Sequence, residues 1–200
     1  MKKQISLIDF GAGNLHSVYK AFKYIGADIE ITKDPSIIEK SDAVVFPGVG
    51  AFGSTMESIR KSNLAEPIIK SARSQKSFLG ICMGMQVLFE EGEENPGVKG
   101  LGVFKGKVVR FKKAKKVPHI GWNNVQMQNV EYRMQNSNFY FVHSYYVVPE
   151  DKSIIYGETE YDSEKFTSII IKNNLTAVQF HPEKSGEVGL ELLKSFVQSI

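Results

Sequence analysis

Two hundred residues with 42% hydrophobic and 24% charged side chains suffice for one buried core and describe an ordinary globular chain. A net charge of +3 is too small to imply nucleic acid, no apolar run is long enough to span a bilayer, and no charged-then-apolar leader ends in a cleavage site, so a cytoplasmic protein is expected. The single cysteine, Cys82, excludes an internal disulfide and fits a reducing compartment.

In chain order, residues 5–8 read as a first buried strand and residues 15–24 as an amphipathic helix closed by Gly26. Between them, Gly11-Ala12-Gly13-Asn14 is half of a dinucleotide fingerprint. The third glycine and the acidic ribose ligand are not in place, so a tight turn accounts for it better. Strands follow at residues 29–31 and 44–46, the second leading into Pro47-Gly48-Val49-Gly50-Ala51-Phe52-Gly53. Its glycines let the main chain approach a ligand and aim N–H groups at it, although a flexible connection would look the same. Helices through residues 56–60 and 68–72 lead to the apolar run 77–79.

Gly80-Ile81-Cys82-Met83-Gly84 comes next, followed by a helix-like stretch over residues 85–89. This has the form of a nucleophile elbow, a sharp strand-to-helix turn that lifts the thiol to a helix N-terminus, where the dipole favours thiolate. An ordinary buried thiol is the competing account. After Gly100 the pattern turns to strands and turns, through residues 106–111, 139–142 and 168–171. The run Lys112-Lys113-Ala114-Lys115-Lys116 lacks interleaved aromatics and reads as a solvated loop, so no nucleic-acid partner is expected. A strand over residues 175–180 delivers His181-Pro182-Glu183, and a last helix over residues 187–198 covers the sheet.

Residues two apart on an extended backbone share a side, so Glu183 can orient His181 while His181 takes the proton of Cys82. Alternating strands and helices in the first half favour a central, mostly parallel α/β sheet flanked by helices, with a strand-rich C-terminal half. No linker or repeat divides residues 1–200. The four histidines, His16, His119, His143 and His181, lack metal-ligand spacing, so neither a metal nor a cofactor is expected.

Three blocks, Pro47-Gly48-Val49-Gly50, Gly80-Ile81-Cys82-Met83-Gly84-Met85-Gln86 and Gln179-Phe180-His181-Pro182-Glu183, together resemble class I glutamine amidotransferases. Pro118-His119-Ile120-Gly121-Trp122-Asn123, Phe141-Val142-His143-Ser144-Tyr145-Tyr146 and His181-Pro182-Glu183-Lys184-Ser185 narrow the resemblance to the glutaminase subunits of imidazole glycerol phosphate synthases. It runs from about Ile5 to the C-terminus, with the blocks in the family's order.

The resemblance implies one flavodoxin-like glutamine amidotransferase domain over residues 1–200 and L-glutamine as substrate. Cys82 would attack the side-chain amide, His181 would protonate the departing ammonia, and Glu183 would hold His181. Val49, Gly50 and Met83 would supply the oxyanion hole. Many relatives carry leucine at the position of Met83, but only its backbone N–H is needed. Glutamine would be cradled by Gly50, Gln86, Glu94, His143, Ser144 and Tyr145. Gln86 also follows Cys82 by one helical turn, whereas Glu94 lies in an acidic run that by itself reads as a solvated face.

No phosphate loop or second catalytic constellation is visible, so the ammonia must be used on another chain. By resemblance that chain is a (β/α)8-barrel cyclase subunit, joined in a heterodimer and fed through an internal tunnel in histidine biosynthesis. Trp122, Tyr140 and Lys184 would face it, with Asn14, Pro118, His119 and Asn123 nearby, although Trp122 and Tyr140 could equally be core. A paralogous role supplying ammonia for sugar amidination in surface-polysaccharide assembly, a Cys–His–Glu hydrolase or peptidase, and a non-enzymatic scaffold stay open.

Overall fold

In the computed structural model, which describes residues 3–11, 13–128 and 137–200, the first half alternates strand and helix as expected. Its elements are β1 (Gln4–Ile8), α1 (Leu15–Tyr24), β2 (Asp28–Thr32), α2 (Pro35–Lys40), β3 (Ala43–Gly48), α3 (Phe52–Lys61), α4 (Ala65–Arg73), β4 (Ser77–Cys82) and the single turn α5 (Met83–Gln86). Strands then dominate: β5 (Glu91–Gly92), β6 (Gly106–Arg110), β7 (His119–Met127), β8 (Ser137–His143), β9 (Tyr145–Pro149), β10 (Ile155–Tyr161), β11 (Glu164–Lys172) and β12 (Leu175–Val178). Helix α6 (Gly186–Gln198) closes the chain.

The sheet runs β2-β1-β3-β4-β12-β11-β10-β7-β8, with β5, β6 and β9 joined as a branch to β11. From β2 to β12 neighbours are parallel, and from β11 onward they are antiparallel. Every residue of β3 and β4 is buried, which is why both read as unbroken apolar runs: a parallel strand covered on both faces has no solvent side. Val18 and Phe22 of α1 pack with Leu193 and Phe196 of α6 in one core. Ile38, Met56, Ile59 and Ile68 of α2, α3 and α4 pack in the other.

Four local readings change. The helix expected over residues 85–89 stops at Gln86, because the segment after Gly100 competes for the carbonyls that would have continued it. Leu101, Val103 and Gly102 donate their N–H groups to Val87, Leu88 and Phe89, at 2.8, 2.8 and 3.3 Å. The strand expected to reach residue 180 ends at Val178. Helix α2, not anticipated, is started by the Asp34 carboxylate accepting from the Ser36 N–H at 2.8 Å, with Pro35 at the first helical position. The lysine-rich segment 112–116 is not merely solvated: Lys112 and Lys113 donate backbone N–H groups to the Glu164 carboxylate, and Lys115 donates to Asp162.

Candidate active site

Register places the two glycine-bearing loops side by side. Because β3 and β4 are parallel with Gly48 opposite Cys82, the chain leaving β3 through Val49 and Gly50 emerges beside the elbow. Cys82 itself has φ +54° and ψ −110°, a region costly for any residue with a Cβ, by about 1–3 kcal/mol. A side chain at Gly84 is impossible without rearrangement, since its Cβ would lie 1.9 Å from the Phe46 carbonyl oxygen. Thus the strained thiol, the close approach at Gly84 and the β3 loop form one unit. Helix α5 has only four residues, so the dipole expected to act on Cys82 is that of a single turn.

His181 follows the C-terminal end of the central strand β12, and its Nδ1 lies 2.8 Å from Glu183 Oε1. The extended geometry expected for His181-Pro182-Glu183 is replaced by a 3-10 turn over Pro182–Lys184, with proline at its start, and the turn brings the carboxylate back to the ring. Both side chains are almost fully buried, at 2% and 1% exposure. Burial disfavours a charged imidazole, but Cys82 and Glu183 outweigh it and raise the His181 pKa to about 10. Nε2 makes no well-formed hydrogen bond of its own, which leaves it available beside the sulfur.

Cys82 and His181 open onto a cavity of ≈280 Å³. Val49, Gly50, Met83, Gln86, Glu94, His143, Ser144 and Tyr145 line it, so every oxyanion and glutamine-binding candidate named from the sequence meets at one place. Pro118 and Val142 complete the wall. Glu94 is not a free surface carboxylate: its Oε2 accepts the Phe52 N–H at 2.7 Å and so caps α3 directly after the Gly50 loop. Gln86 donates to the Tyr145 carbonyl at 2.9 Å and to Gln179 Oε1 at 3.0 Å. A larger groove of ≈540 Å³ lies between α2 and α4, but its Glu39 and Lys70 neutralise each other and neither a cysteine nor a histidine lines it. Among the described residues no group of three or more His, Cys, Asp or Glu side chains gathers as metal ligands would.

The family model for class I glutamine amidotransferases matches residues 6–200. The chain belongs to the class I glutamine amidotransferases. It is 46% identical to "Imidazole glycerol phosphate synthase subunit HisH" of Methanothermobacter thermautotrophicus, over 98% of each chain. It is 48% identical to the protein of that name from Methanocaldococcus jannaschii, over 97% of this chain and 98% of the other. Among solved structures, PurLQS from Thermotoga maritima superposes with a TM-score of 0.79 at 18% identity, covering 100% of this chain and 99% of that one, a likeness of fold.

On this amidotransferase the residues expected near a partner divide into two groups. Trp122 is 58% exposed, beside Ile120, also 58% exposed, and Val142 at the cavity rim. Tyr140 alternates outward on β8 between buried Phe139 and Phe141, meets Trp122 edge-on at 6.2 Å, and carries the Lys184 ammonium 5.8 Å above its ring. Neither aromatic is therefore core. Asn14 and Pro118 are exposed as well. His119 departs from the expectation: it is 2% exposed, stacked between Phe141 and Tyr161 with centroids at 4.9 and 4.1 Å. His119 on β7 faces inward with residues 139, 141 and 143 of the paired strand β8, which buries it, and Asn123 bonds to it from the rim. Gln179 was quoted only as part of a motif; its amide proves to be 3.6 Å from the sulfur, and a buried glutamine at a strand end was the signal available.

Proposed function

We propose that this chain is the glutamine-hydrolysing subunit of an imidazole glycerol phosphate synthase, with Cys82 as nucleophile, His181 as its acid and base, and Glu183 as the orienter of His181. The observation that carries the reading is the amino-acid-sized cavity onto which Cys82 and His181 open, walled by the loops after β3 and β8. Glutamine enters with its side-chain amide at Cys82 and its α-ammonium toward Glu94. The sulfur adds to the amide carbon, and the backbone N–H groups of Val49, Gly50 and Met83 receive the charge on oxygen. The C–N bond breaks as His181, protonated at neutral pH by its raised pKa, gives its proton to the leaving nitrogen. Water then adds to the thioester with His181 as base, and glutamate leaves as the electron pair returns to sulfur.

Ammonia passes to a cyclase subunit of (β/α)8-barrel type seated on the Trp122, Tyr140 and Lys184 face, in a heterodimer working in the cytoplasm. The relatives' shared name supports histidine biosynthesis over sugar amidination. The cavity's small volume favours glutamine over an extended peptide. Glutamate release by the full chain, measured alone and with the cyclase subunit, tests the reading. Activity on glutamine that rises with the partner supports it; cleavage of peptides with none of glutamine in either state rejects it.

A further inference from the structure

Two hydrogen-bonded runs meet at the Tyr145 carbonyl, one beginning at Asn123 on β7 and the other leading to the catalytic sulfur, and the direction of every bond in them can be fixed. The first begins at Asn123, whose Oδ1 accepts the Asn124 N–H at 2.8 Å. Its Nδ2 is therefore the end that faces the Glu160 carbonyl, at 2.9 Å, and His119 Nε2, at 3.3 Å. At the other end of the histidine pair, His143 Nδ1 lies 2.9 Å from the Tyr145 carbonyl, which can only accept. His143 thus carries its proton on Nδ1 and accepts at Nε2. Its partner there is His119 Nδ1 at 3.2 Å, which must then be the protonated nitrogen, leaving His119 Nε2 to accept from Asn123. The two ends impose the same tautomers independently. Burial holds both rings neutral, with His143 brought down to about 3 and His119 to about 4.

The second run passes through two amides. The Tyr145 carbonyl also accepts from Gln86 Nε2 at 2.9 Å, which forbids the flipped amide, since that would set one carbonyl against another. Gln86 Nε2 spends its other proton on Gln179 Oε1 at 3.0 Å. Gln179 is left with its Nε2 toward Cys82 Sγ at 3.6 Å, within reach for a sulfur acceptor. Gln179 is fully buried and Gln86 is 2% exposed, so an amide turned the wrong way would strand buried polar atoms at high cost.

We propose that Gln179 is a further catalytic residue of this chain, donating its amide N–H to the Cys82 sulfur, and that Gln86, itself oriented by the Tyr145 carbonyl, is the positioning residue that fixes which end of that amide faces the sulfur. The donor favours negative charge on sulfur at two moments: before attack, and when the C–S bond breaks and the electron pair returns from the thioester. It acts on the nucleophile and not on glutamine, because Gln179 is absent from the cavity wall. The inference rests on the reading of Cys82 as the nucleophile, and the test separates the two.

The test is the pH profile of Cys82 alkylation by iodoacetamide in the full chain, where the only thiol is Cys82, together with kcat and KM for glutamine in the complex with the cyclase subunit. The titratable groups facing Cys82 are His181 with Glu183 behind it, His143, Glu94 and Tyr145, and all are unchanged in a Gln179 variant. Gln179→Leu should slow alkylation at neutral pH by about 10-fold, move its inflection to higher pH, and lower kcat by a similar factor with KM nearly unchanged. Gln179→Glu, which sets a carboxylate oxygen against the sulfur, should move the inflection further in the same direction. Gln179→Met serves if the leucine variant fails to fold.

Gln86→Leu probes the positioning step: without the Gln86 donor the Gln179 amide is free to turn its oxygen toward the sulfur, so alkylation should slow by about 3-fold with its inflection moved to higher pH, a shift that a merely structural role would not produce. Alkylation and kcat at native values in Gln179→Leu, or in Gln179→Met where the leucine variant does not fold, overturn the proposal. A native protein inert to iodoacetamide at Cys82 overturns the nucleophile reading on which it rests.

Discussion

Adding one methyl group at Gly84 should disable the site more than it unfolds the protein. The new Cβ would lie 1.9 Å from the Phe46 carbonyl oxygen and 2.9 Å from its carbon, where ordinary contact begins at 3.4 Å, so two main chains must part by about 1.5 Å. Neither is free to yield. Phe46 is held in the β3–β4 ladder opposite Gly80, and Gly84 sits on the turn that carries Cys82 and Met83. Parting them draws the Val49–Gly50 loop away from the elbow, and a misplacement on the order of 1 Å costs roughly 10²-fold in rate. Overpacking of this kind costs about 1–3 kcal/mol, or a fall of roughly 3–10 °C in melting temperature for a chain of this size. Gly53→Ala is the milder comparison: its Cβ meets the Asn95 side chain at 2.8 Å, and moving that side chain gives up the bond by which Asn95 Oδ1 accepts the Gly53 N–H, a loss of about 1 kcal/mol that the helix preference of alanine roughly offsets. Glutamate formation in the complex with the cyclase subunit and thermal melting of both variants give the comparison. Native turnover and melting in Gly84→Ala would refute the reasoning.

Cys82→Ser should lose glutamine hydrolysis by at least ~10³-fold while its complex still makes product from added ammonium at raised pH; failure of ammonium to rescue would count against internal delivery. His181→Ala should cost more turnover than Glu183→Gln, and the reverse order would reassign their roles. Glu164→Ala should cost about 2–3 kcal/mol in urea unfolding, because it strands the N–H groups of Lys112 and Lys113 and the Tyr146 hydroxyl; a loss within error would show these donors finding water instead. For the histidines the signs oppose. His143 and His119, at about 3 and 4 against an ordinary 6.5, contribute stability that is present above 6.5 and lost as pH falls toward those values. The contribution of His181 is full below 6.5 and lost as pH rises through about 10. Urea unfolding across pH should fall on both flanks, with the acid flank flattened in His143→Gln; an unchanged acid flank would refute the assignment.

Parallel strands were legible because burial on both faces leaves an apolar run, and β3 and β4 are that case. The elbow was legible for a different reason. Gly84 is required by backbone approach, and Gly80 is crowded by Ala177 and Gly84 at 3.0 and 3.1 Å, so both positions restrict residue type and mark the sequence. Where contacts come from distant segments the sequence is silent. Residues 87–89 have a good helical pattern, and only the arrival of residues 101–103 on their carbonyls shows why they do not continue α5. His119 was expected near the partner because its motif resembles one that borders it; the pairing of β7 with β8 sets its inward phase, and pairing is not local information. Gln179 carried only the weak signal of a glutamine at a strand end, because the orientation of its amide is set by Gln86, ninety-three residues earlier.

His181 and His143 border one cavity, yet the protein charges one and neutralises the other. Burial acts against charge on both, so the difference must come from partners. His181 has the Cys82 sulfur on one side and the Glu183 carboxylate on the other, and these reverse the cost of burial. His143 has only the Tyr145 carbonyl to favour its charge, and His119 and His181 oppose it. A positive His181 therefore helps to keep His143 neutral, and a neutral His143 has one nitrogen free to accept. That acceptor gives His119 its tautomer, while the donor on the opposite side of the His143 ring meets the carbonyl that also fixes Gln86. Losing Glu183 would thus do more than loosen one ring. It would take away one of the two partners, with Cys82, that hold the charge beside the sulfur and so help to keep His143 neutral.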